Sequence, residues 1–132
     1  MNRLLIQRLC IGALTLLVAT GCSGDDDSSG DAGDGPSLED AVRAYSADFL
    51  AGDATAAYAR MSERCHGVLE EQVFAGVVAQ SAELFGDEEI TKYDDDIDGD
   101  KATATYTFSD PTINQTDEPW VLENGAWHTD HC

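Results

Sequence analysis

Positive charge is what this chain most lacks. Seven Lys and Arg stand against 26 Asp and Glu in 132 residues, a formal net charge of −19. So acidic a surface repels nucleic-acid phosphates and anionic lipid headgroups, and it excludes nucleic acid as a partner. Cysteine is also scarce. The four present, Cys10, Cys22, Cys65 and Cys132, include no Cys-x-x-Cys pair, the spacing of structural zinc sites and dithiol redox centres. Neither a Gly-rich phosphate loop nor a Ser/His/Asp constellation is present, and the main apolar run, Leu9 to Val18, is too short for a stable membrane span. The length leaves room for one small domain.

What the chain does contain begins with an address. Arg3 and Arg8 precede the Leu9–Val18 run, the layout of an export signal. The run ends in Val18-Ala19-Thr20-Gly21-Cys22. A small residue directly before a cysteine resembles the lipobox of bacterial lipoproteins, with Ala19 where that family usually has leucine. The resemblance implies cleavage after Gly21 and a thioether from Cys22 to diacylglycerol. The mature chain would then be held at the extracytoplasmic face of the cell membrane through a lipid anchor. Loss of residues 1–21 removes Arg3 and Arg8 but no acidic residue, leaving 111 residues, five basic side chains against 26 acidic ones, and a charge of −21. With Cys10 discarded and Cys22 lipidated, Cys65 and Cys132 remain as an even pair in an exported chain, where a disulfide persists. Closing a loop of that size stabilises a fold by about 4 kcal/mol on the chain-entropy model.

Ser23 to Pro36 holds five aspartates and no large apolar residue, so it reads with Cys22 as a disordered tether over 22–36. Residues 37–132 form the domain. Ser37 caps a first helix whose Leu38, Val42, Tyr45 and Phe49 share a face, with Gly52 at its left-handed end. Asp53 caps a short second helix, Ala54 to Met61. A third is predicted over Val68 to Phe85, with Leu69, Val73, Val77 and Leu84 as its apolar stripe. After Gly86 the period becomes two: Ala102, Ala104, Tyr106 and Phe108 alternate with Lys101 and threonines, and Ile90 to Ile97 is the expected partner strand across Asp98-Gly99-Asp100. Trp120–Glu123 and Ala126–Thr129 flank Asn124-Gly125, a type I′ hairpin signal. The expected class is α+β, with three N-terminal helices packed on a four-stranded antiparallel sheet.

Asp48-Phe49-Leu50-Ala51-Gly52-Asp53-Ala54-Thr55-Ala56-Ala57-Tyr58 resembles the opening of the nuclear transport factor 2-like superfamily: a long helix, Gly-Asp, then a short helix. The Asp98–Thr105 segment, with its terminal Leu122–Trp127 hairpin, resembles small bacterial lipoprotein members of that group. The resemblance implies a curved sheet wrapping the long helix into a cone around an apolar pocket. Tyr45, Phe49, Tyr58, Tyr106, Phe108 and Trp127 are the candidate lining. Ketosteroid isomerase and scytalone dehydratase belong to the same superfamily as many non-catalytic members, and the fold does not choose among them.

Asp94, Asp96, Asp98 and Gly99 match the start of a calcium loop, but Thr105 stands where a bidentate glutamate is needed and Lys101 where an apolar residue belongs. An acidic hairpin end accounts for the same residues. His128 and His131 are three apart and diverge on a strand, leaving zinc without a ligand set. No metal and no cofactor are expected. The leading expectation is a non-catalytic cell-envelope lipoprotein with a small apolar recess, binding a small apolar ligand or an envelope protein. The alternative is an envelope enzyme of the isomerase or dehydratase type, using tyrosine with aspartate or histidine in the cone. A recess lined by carbon and tyrosine alone would bind without converting.

Overall fold

A computed structural model describes residues 36–132; the expected signal over 1–21, the lipidation site Cys22 and nearly all of the tether lie outside the described residues. Helix α1, Leu38–Leu50, starts where the Ser37 hydroxyl accepts the Asp40 N–H, and Glu39 and Asp40 occupy the positive end of its dipole. Leu38, Ala41, Val42 and Leu50 bury its inner face. Gly52 takes the left-handed φ of 83° that turns the chain out of the helix. Asp53 then accepts from the Ala56 N–H to cap α2, Ala54–Ala59.

Two further α-helices follow, making four among the described residues where three were expected. Helix α3, Glu63–Val68, is a short turn capped by Ser62 and carrying buried Cys65. Helix α4 is Glu71–Phe85, so the helix expected from Val68 begins three residues late. Its expected stripe is also turned outward: Val73, Val77 and Leu84 are 57%, 51% and 67% exposed, while Phe74 and Val78 are buried. Both sets recur at helical spacing, one residue apart, so periodicity cannot rank them. The ring of Phe74 decides the outcome by packing 5.8 Å from both Phe49 and Tyr58.

The sheet has strands β1 Lys92–Asp98, β2 Lys101–Thr107, β3 Gln115–Glu123 and β4 Ala126–Thr129, in the order β1-β2-β3-β4 and antiparallel throughout. Gly99 at φ 64° makes the β1–β2 hairpin, and Asn124 and Gly125, at φ 52° and 80°, make the two-residue β3–β4 turn that type I′ geometry demands. Strand β3 starts five residues earlier than expected. It is irregular there, because Ala104 pairs with Glu118 whereas Tyr106 pairs with Gln115. The bulge is held by Asp117, which has a φ of 52° and donates its N–H to the Thr105 hydroxyl at 3.0 Å.

Two buried clusters form the core. One lies between α1 and the sheet and includes Val42, Leu50, Ala104, Tyr106 and Trp120; the other joins Ala57, Met61, Cys65, Phe74 and Val78. Tyr45 and Phe49 pack against both. Burying a side chain the size of Val42 or Val78 contributes about 2 kcal/mol. The C-terminus is tied down as well. Met61 and Thr129 form a parallel bridge, Ser62 N–H donates to the Thr129 carbonyl at 2.9 Å, and a disulfide joins Cys65 to Cys132.

Candidate functional site

A recess of about 430 Å³ opens where α1 and α4 face the sheet. Its walls are aromatic: Tyr45 and Phe49 from α1, Phe74 and Phe85 from α4, Tyr106 from β2 and Phe108 just beyond it. The period of α1 sets the first pair, and the alternation of β2 carries Tyr106 to the same side as Ala102 and Ala104. The lining also includes one carboxylate, Glu118.

Glu118 is only 5% exposed. The regular pairing that sets Ala102 opposite Trp120 continues to set Glu118 opposite Ala104, which is fully buried, so the Glu118 side chain enters the core. There the Tyr106 hydroxyl donates to Oε2 and the Thr129 hydroxyl donates to Oε1 at 3.3 Å. Nδ1 of His131, a largely exposed side chain that also lines the recess, is 3.8 Å from Oε1. The buried Trp120 indole N–H finds no hydrogen-bond partner among the described residues. Burial dominates the balance and raises the Glu118 pKa, against the opposing pull of the Tyr106 hydrogen bond and the His131 charge. Tyr106 and Tyr45 are pushed above the ordinary phenol value, first by burial and then by the Glu118 charge. Both phenols therefore stay protonated, and Tyr106 donates to Glu118. A carboxyl and a phenol hydrogen-bonded to each other and both buried can orient a polar group, hold a cation or pass a proton.

Four of the six expected lining residues, Tyr45, Phe49, Tyr106 and Phe108, surround the recess. Tyr58 and Trp127 lie outside its lining. Helix α2 turns Tyr58 toward the loop before α4, where its hydroxyl donates to the Leu69 carbonyl at 2.8 Å and its ring sits 4.5 Å from His66. Trp127 belongs to the edge strand β4, opposite Leu122, and packs against the first cluster. The expected lining of carbon and tyrosine alone is corrected by Glu118. A usable signal was present: Trp120 points inward, and the strand period carries Glu118 to the same face. The run Gln115-Thr116-Asp117-Glu118-Pro119 hid it, because it reads as a polar loop rather than a strand.

The other candidate ligands are dispersed. Asp94, Asp96 and Asp98 lie along one face of β1 opposite Thr105, Thr103 and Lys101, each about 6.5 Å from the next at strand rise, a line rather than a cage. His128 alternates with inward-facing Thr129 and pairs with Val121, while His131 stands at the recess. Among the described residues no group of three or more His, Cys, Asp or Glu gathers to hold a metal.

No family model matches the chain, and no curated protein matches it. Among solved structures it is similar to a Campylobacter jejuni protein named as an NTF2-like transpeptidase, NTF2 being nuclear transport factor 2. The TM-score is 0.54 at 18% identity, over 71% of this chain and 97% of that one. At that identity the likeness shows the fold: an α+β domain of the nuclear transport factor 2-like kind.

Proposed function

We propose that the protein is a cell-envelope lipoprotein, anchored through Cys22, whose domain binds a small, largely apolar molecule. The observation that carries the binding reading is the 430 Å³ recess, walled by aromatic rings and floored by the hydrogen-bonded Tyr106–Glu118 pair. Apolar walls supply affinity and a few polar atoms at one end supply orientation. We read the arrangement as the cone expected of this fold, with α1 against the inner face of the sheet. The Gly21-Cys22 step behind a basic and apolar segment supports the anchor, and the anchor supports the extracytoplasmic address.

Native mass spectrometry of the full chain purified from its own membranes tests the binding reading. Wild type is expected to retain a small-molecule mass that Ser81→Trp, which fills the recess from α4, does not retain. A wild-type protein that carries no mass and takes up none of a library of apolar compounds overturns it.

A second reading is favoured by one observation, the carboxyl–phenol contact itself. In an enzyme of the isomerase or dehydratase type, Glu118 would move the proton and Tyr106 would polarise the substrate oxygen. Turnover of a carbonyl or enol substrate that disappears in Tyr106→Phe supports this reading. Retention of an unaltered ligand favours binding alone.

A further inference from the structure

The chemistry around Glu118 specifies more than an apolar ligand. An ionised carboxylate offers about four acceptor positions. Here the two hydrogen bonds come from neutral hydroxyls, those of Tyr106 and Thr129. In the ionised form they solvate the oxygens without cancelling the charge, so burial still raises the pKa and a cation placed beside the carboxyl would lower it. Among the described residues the recess lining contains no Lys or Arg, and its one group able to carry positive charge is His131, 3.8 Å from Oε1 with its side chain 64% exposed. Everything else lining the recess is aromatic, aliphatic or uncharged polar. Aromatic faces bind cations through their quadrupoles, and they do so more strongly when water is kept out. The whole chain adds a long-range term, since a formal charge of −19 concentrates cations near the molecule and disfavours anions.

We propose that the recess selects a hydrophobic monocation: an ammonium ion with its charge at the Glu118 carboxylate and its apolar body against the aromatic walls. The inference rests on the reading of the recess as a ligand site. It adds the charge of the ligand and the atom that reads it. An anionic ligand would meet a buried like charge, and a neutral one would leave that charge uncompensated.

The test uses three probes of one shape: 4-phenylbutylammonium, 4-phenylbutan-1-ol and 4-phenylbutyrate. Each is titrated calorimetrically into the full-length protein at neutral pH and moderate salt, with a matched blank. The ammonium probe is expected to bind at least tenfold more tightly than the alcohol, and the carboxylate more weakly than both. In Glu118→Gln the ammonium and alcohol affinities should converge to within about twofold, with a cooperative urea transition reporting that the domain is still folded. Tyr106→Phe keeps the carboxylate and frees its Oε2, so the preference for ammonium should persist or grow.

An alcohol that binds wild type as well as the ammonium probe overturns the cation inference and leaves the binding reading standing. A preference that survives in Glu118→Gln assigns the selectivity to surface charge and also overturns it. So does a preference lost in Tyr106→Phe. Failure of all three probes to bind, with wild type and Ser81→Trp indistinguishable, overturns the binding reading and the inference with it.

Discussion

Replacing Cys132 by Ser should be the most costly change available at the surface of this domain. Cys132 is exposed, so the substitution opens no hole in the core, unlike one at the fully buried Cys65. What disappears is the cross-link, which spans 67 positions of sequence. A loop of that length restricts the unfolded chain by about 4 kcal/mol on the entropy model. For a domain of about 100 residues the unfolding entropy is near 0.2 kcal/mol per degree, so the melting temperature should fall by about 20 °C. Urea titration followed by Trp120 and Trp127 fluorescence measures the free energy, and the slope should steepen because the unfolded chain is no longer looped. The same loss should loosen His131. That residue is flanked by Cys132 on one side and on the other by Asp130, which Ser62 and Arg64 hold at 2.5 and 2.9 Å. A destabilisation below about 1 kcal/mol, in a wild-type sample shown by peptide mapping to carry the linked cysteines, would refute the argument that loop closure dominates.

Phe74→Ala should cost about 3–5 kcal/mol in urea unfolding, whereas Val73→Thr, one position away on exposed helix surface, should change stability by less than about 0.5 kcal/mol; equal effects would show that the face of α4 is misassigned. Because burial raises the Glu118 pKa in the folded chain, its stabilising contribution is fully present below the ordinary value of 4.5 and is lost as pH rises through the folded value. The stability of wild type relative to Glu118→Gln should therefore fall as pH rises from about 4.5, and a pH-independent difference in matched urea titrations would contradict it. Cys22→Ser should release the protein from membranes or leave it unprocessed; unchanged fractionation, with no lipid mass on the wild type, would remove the anchor from the proposal.

Local signals with a single physical solution were readable from the residues. Ser37 and Asp53 cap the helices they were expected to cap, and Asn124-Gly125 makes its turn, because each depends on atoms within a few residues. Ambiguity entered where two solutions share a period. On α4 the stripes through Val73 and through Phe74 are both helical, and only tertiary packing against Phe49 and Tyr58 separates them. Four lining residues were legible from the alternation of β2 and the period of α1. The chemistry of the recess was not, because Glu118, which alternates with Trp120, lies inside Gln115–Pro119, a run whose polar residues and proline read as a loop and conceal the start of β3.

The two edges of the sheet have a consequence for how the molecule behaves in company. On one side, β4 is already partnered where Met61 bridges Thr129. On the other, β1 presents Asp94, Asp95, Asp96 and Asp98 within seven residues. A strand offered by a neighbouring copy would have to pair its own aspartates against these, and repulsion between like charges opposes that docking. One margin is thus closed by the chain itself and the other is guarded by charge. The second guard is conditional: salt that screens the β1 aspartates weakens it and leaves an unpaired backbone ladder. Growth into shared sheets should therefore begin at that margin, and at high ionic strength before it does at low.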